Sequence, residues 1–85
     1  MKRTKLERCK YAFIVRGTNE RLVDTYIELY GEPDGFYQLA RQIAKAEYSF
    51  LRREYGYGDI WAKDYAKQTF KTLENAIKRI YSDNE

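Results

Sequence analysis

Residues 34–55 constrain this chain more than any other stretch, because nothing in them interrupts a helix and their side chains sort onto distinct faces. At about 100° per residue, Leu39, Ile43, Ala46 and Phe50 form one apolar stripe, and Ala40, Ala44 and Leu51 form a second beside it. Opposite lie Gln38, Arg41, Lys45 and Arg52, flanked by Tyr37, Tyr48 and Tyr55. The pattern predicts one long helix with a core side and a basic-aromatic side.

The breaks on either side set its neighbours. Gly31-Glu32-Pro33-Asp34-Gly35 is the clearest interruption: Gly31 suits the left-handed close of a preceding helix, Pro33 forbids continuation, and Asp34 is placed to cap the long helix. After it comes Gly56-Tyr57-Gly58, a short hinge with two permissive residues. Asp59 is then expected to cap a last helix over residues 60–82. Its Ala62, Ala66, Phe70, Leu73, Ala76, Ile77 and Ile80 make a continuous apolar stripe, with Lys63, Lys67, Lys71 and Lys78 on the outside.

The N-terminal third reads less sharply. Leu6, Cys9 and Phe13 share a helical face, whereas Tyr11 to Val15 also suits a short strand, being rich in β-branched and aromatic residues. Gly17, Thr18 and Asn19 interrupt, with Thr18 or Asn19 a candidate N-cap. From Leu22 to Tyr30 every apolar residue falls within one half of a helical wheel. The expected fold is an all-α, small bundle of three to four helices with a C-terminal antiparallel helical hairpin. The alternative is α+β, with an N-terminal β-hairpin and two C-terminal helices. A chain of 85 residues makes a single small domain, with residues 1–5 and 83–85 expected as loose tails.

Charge limits the function classes. The net charge of +3 is mild, yet unevenly spread: residues 1–10 are strongly basic, 11–35 acidic, 36–56 basic and 57–85 neutral. A dedicated nucleic-acid binder is usually more uniformly basic. Cys9 is the one cysteine and histidine is absent, so the usual zinc ligand sets and an internal disulfide are ruled out. No cofactor and no metal are expected. With neither a long apolar run nor a signal-peptide core, the expected location is cytoplasmic, without membrane association.

No motif fixes a chemistry. Cys9 lacks a histidine to activate it, and no glycine-rich phosphate loop occurs. Glu47 and Glu54 fall between the apolar stripes of the long helix, where a carboxylate needs a partner such as Arg79 or Arg16. An enzyme is therefore not expected. A helix-turn-helix within residues 39–53 is weighed and set aside, because Ala44 and Lys45 stand where the turn normally has a glycine and an apolar residue.

What remains are binding surfaces. Arg41, Lys45, Tyr48 and Arg52 form the basic-aromatic face, where cations can meet phosphates and rings can stack or fill partner pockets. Arg53, Tyr55, Tyr57 and Trp61 gather the residue types of interface hot spots around the hinge, with Tyr65 on the same side of the last helix as Trp61. The competing reading makes Trp61 a cover for the end of the core. The expected function is a non-enzymatic binding protein (inhibitor, adaptor or small subunit) engaging a protein or nucleoprotein partner through this Tyr/Trp/Arg-rich surface. The alternative is a nucleic-acid-binding protein using the basic helix face and N-terminal tail. Self-association into a homodimer is a third reading.

Overall fold

The structure, a computed structural model, describes residues 3–82. Among these, four helices follow one another: α1 (Lys5–Ile14), α2 (Glu20–Tyr30), α3 (Asp34–Glu54) and α4 (Asp59–Tyr81). No strand occurs among the described residues, so the α+β alternative is overturned. Residues 11–14 continue α1, and their β propensity loses to the helical stripe that carries Cys9 and Phe13 into the core.

Local chemistry explains each boundary. Thr4 and Glu7 form a reciprocal capping box, the Thr4 hydroxyl accepting from the Glu7 amide at 3.1 Å while the Glu7 carboxylate accepts from the Thr4 amide at 3.3 Å. Thr4 thus caps α1 and Lys5 opens it, rather than both lying in a loose tail; residues 1–2 and the expected tail at 83–85 lie outside the described residues. Asn19 caps α2 by accepting from the Arg21 amide at 2.8 Å. Two expected caps are displaced by a residue. α3 begins with Asp34 inside its first turn and Pro33 at the cap; α4 begins with Asp59 inside and Gly58 at the cap. Neither aspartate accepts as a cap, though each places a negative charge at the positive end of its helix.

The core gathers at one end. Cys9 and Phe13 of α1, Val23 of α2, Phe36, Leu39 and Ala40 of α3, and Leu73, Ile77 and Ile80 of α4 form a single buried cluster. Phe13 and Phe36 meet with ring centroids 5.4 Å apart, and Phe36 and Tyr81 at 6.1 Å. Polar ties close the same end: the Tyr81 hydroxyl donates to Glu32 at 2.6 Å, and Lys5 donates to the Tyr81 carbonyl at 3.3 Å. Lys10 bridges α1 to Asp24 of α2 at 2.7 Å. α2 approaches α3 so closely that a Cβ on Gly35 would lie 2.6 Å from the Tyr26 carbonyl oxygen, which only a glycine avoids.

The other end is built differently. α3 has no fully buried side chain beyond Ala40, and α4 before Leu73 has only Ala62. The cause is length. α1 and α2 reach about 15 Å each, whereas α3 and α4 reach more than about 30 Å. The two short helices cover only part of the long pair, and α3 and α4 extend past them in a molecule measuring 46 × 24 × 20 Å. Ala46 and Phe50, expected in the core stripe, are consequently exposed.

Candidate functional site

The far end of α3 and α4 is held by a turn and by side-chain contacts across it. Gly56 adopts φ 65°, in the left-handed region, and reverses the chain; Gly58, at φ −63°, needs no such freedom. The Tyr57 amide donates back to the Leu51 carbonyl at 3.1 Å, folding the hinge against the last turn of α3. Asp59 then works as a clasp rather than a cap. Its carboxylate accepts from the Tyr48 hydroxyl and pairs with Lys63 at 3.1 Å and Arg52 at 3.7 Å. The hydrogen bond from Tyr48, then the one from Lys63, holds the Asp59 carboxyl below its usual range, and the same bond to Asp59 pushes the Tyr48 phenol up.

Around this clasp, aromatic rings touch in series. Phe50 meets Tyr55 edge-on at 5.4 Å, Tyr55 meets Tyr57 at 5.9 Å, and Tyr57 meets Tyr65 at 5.8 Å. All four are exposed. Ile60 and Trp61, on the first turn of α4, are 74% and 67% exposed. Trp61 therefore does not cover the end of the core; that reading is corrected.

The nine residues singled out in the sequence divide into three groups. Tyr55, Tyr57 and Tyr65 join the ring series, and Trp61 lies exposed on the same end. Arg52 is tied to the Asp59 clasp, and Arg53 lies in a shallow depression with Gln42, Ala46 and Phe50 on the outer side of α3. Arg41 and Lys45 are exposed and Tyr48 is half-buried. They line a groove of about 1000 Å³ shared with α4, facing Lys63, Lys67 and Lys71 across Ala44, Ala66 and Phe70. A wheel drawn for α3 alone cannot show this, because the direction of α4 is fixed by tertiary packing.

One expectation is corrected here. Glu47 accepts from the Thr69 hydroxyl at 2.5 Å instead of pairing with a cation, in a depression that also holds Arg16 and Thr18. A neutral hydroxyl suffices because the site is only half-buried. α3 runs unbroken through residues 39–53, which removes the helix-turn-helix. Cys9 is fully buried, and burial followed by the negative charge of Glu32 pushes its thiol up to about 12, so it stays protonated and inert.

Phe50 and Ile60 belong to the aromatic end without having been singled out, and Lys63, Lys67 and Lys71 to the groove. The lysines were signalled by their i, i+4, i+8 spacing beside the apolar stripe of α4. Phe50 was signalled by its distance from any short helix able to cover it. Among the described residues no cluster of three or more histidine, cysteine or acidic side chains could hold a metal, and no helix is long and apolar enough to cross a membrane. Comparison with protein-family models, with curated proteins and with solved structures gave no match for this chain.

Proposed function

We propose that the chain is a non-enzymatic binding protein that engages a protein or nucleoprotein partner through the aromatic end of α3 and α4, as an inhibitor, adaptor or small subunit. The observation that carries this reading is the exposed series Phe50–Tyr55–Tyr57–Tyr65 beside Ile60 and Trp61. Aromatic side chains bury roughly 150–250 Å² each when covered. Five of them, about half exposed, offer on the order of 500 Å², comparable with the central part of an interface that buries about 800 Å² per partner. Rings already in contact lose little rotamer freedom on binding, which favours their use as anchors. The proposed setting is the cytoplasm, in keeping with a chain that carries one thiol and keeps it sealed.

Affinity capture from cell extract, with and without nuclease, followed by a salt series tests the proposal. The double variant Tyr57→Ala/Trp61→Ala should weaken the captured partner by more than about tenfold, since each anchor of this type is worth on the order of 2 kcal/mol. The charge reversals Arg41→Glu, Lys45→Glu and Arg52→Glu should matter less, with only a weak dependence on salt. Loss of the partner with nuclease, or a steep salt slope abolished by the reversals, would instead support direct nucleic-acid binding. Sedimentation of the purified protein decides the homodimer: a dimer broken by the aromatic double variant would assign this end to a second copy.

A further inference from the structure

The groove between α3 and α4 shares Tyr48 and Lys63 with the Asp59 clasp beside the aromatic end, but its chemistry differs. Its floor is apolar, formed by Ala44, Ala66 and the half-buried Phe70. One wall carries Arg41 and Lys45, a helical turn apart on α3. The other carries Lys63, Lys67 and Lys71, at successive turns of α4. The one lining carboxylate is Glu74, at the end nearest the core, and it is already paired with Lys78 at 3.8 Å. Lys63 shares its charge with Asp59; among the described residues no such pairing offsets Lys67 and Lys71 on the same wall.

We infer that this groove is a docking site for an acidic amphipathic helix of a partner protein. The inference rests on the protein-binding reading above and adds a second surface to it. Three features of the groove select this occupant. From Lys63 to Glu74 it runs about 17 Å, the length of roughly three helical turns. Two rows of cations flank one apolar strip, so the complementary surface is an apolar stripe between two rows of carboxylates. A helix with apolar residues at i, i+3 or i+4, and i+7 and with glutamates beside them presents that surface. A fatty acid offers one carboxylate to five cations. A nucleic-acid backbone supplies the charge but no apolar stripe for Ala44, Ala66 and Phe70.

The probe is a fluorescein-labelled synthetic peptide of about 14 residues, with leucines at helical i, i+3, i+7 and i+10 and glutamates flanking them. Titration by fluorescence anisotropy at physiological salt is expected to give saturable binding, with amide shifts in NMR spectra centred on residues 41–48 and 63–71. Arg41→Glu/Lys67→Glu should weaken it by at least about tenfold, whereas Arg16→Glu/Arg21→Glu, an equal loss of charge outside the groove, should change it by less than about twofold. Circular dichroism melts establish that each variant remains folded. Three results would overturn the inference: a scrambled peptide of the same composition binding as tightly, a single-stranded oligonucleotide binding more tightly than the peptide, or the two charge variants behaving alike. The Tyr57→Ala/Trp61→Ala variant separates the two proposals. It should leave peptide affinity unchanged, so failure of the peptide arm leaves the aromatic end standing, and loss of partner capture there leaves the groove standing.

Discussion

At the scale of single residues, Cys9 shows how burial converts a reactive group into a structural one. Its thiol has an ordinary value of 9.0 and is pushed up to about 12 in the fold. Between those values the unfolded chain loses the proton and the folded chain keeps it. Folded protein then binds more protons, so stability falls as pH rises, by up to about 1.4 kcal/mol per pH unit. Burial also raises Tyr37 and Tyr81, which add slope of the same sign above their ordinary value of 10.0. Tyr48, raised by its bond to Asp59, adds to that slope, so the thiol dominates only below about pH 9. Urea titrations from about pH 8 to 9 should show stability falling with pH more steeply in the native sequence than in Cys9→Ala, whatever the absolute loss from the smaller side chain. A native thiol alkylated at pH 8 as fast as the urea-unfolded chain would contradict the sealed position.

At the scale of elements, the turn between α3 and α4 holds two glycines with different duties. Gly56 at φ 65° occupies backbone space that costs an L-residue about 1–2 kcal/mol, so Gly56→Ala should lower stability by that amount although nothing crowds a Cβ there. Gly58 is the N-cap of α4 without a side-chain acceptor, in the extended conformation an N-cap needs. Gly58→Ser should raise stability by about 0.3–1 kcal/mol, its hydroxyl accepting from the first turn. Thermal melts of the two variants should thus move in opposite directions. A common direction would show that the hinge is not read correctly. The long helix itself was legible in its faces and its breaks, and Gly56-Tyr57-Gly58 was legible as a reversal. Which of the two glycines needs its freedom was not, because that follows from the path by which the Tyr57 amide returns to Leu51.

At the scale of the whole molecule, the uneven core predicts uneven dynamics. Amides around residues 36–40 and 73–80 lie in the buried cluster, whereas residues 46–54 and 59–66 are supported by one helix pair whose side chains, Ala62 apart, are half-buried or exposed. Native-state hydrogen exchange should therefore show protection near the global limit in the first set and faster, sub-global opening in the second. Uniform protection along α3 would mean that the far end is as cooperative as the core. Partner binding at the aromatic end or in the groove should raise protection selectively in residues 46–66.

Sequence alone determined the two long helices and the breaks beside them, since periodicity and breakers act over a few residues and agree there, whereas the N-terminal third left helix and β-hairpin both open until the structure decided. It also marked Cys9 as a core residue, through the stripe it shares with Leu6 and Phe13. Tertiary structure decided what lies against what. The stripe of α3 continues through Ala46 and Phe50, yet only its first turns are covered, because two helices of 10 and 11 residues cannot span helices of 21 and 23. Arg41 and Lys45 read as an outer face on a wheel, and become the wall of a groove once α4 lies beside them. Burial and electrostatic grouping are properties of pairs of elements, and the pairing is set by how the short and long helices share one core.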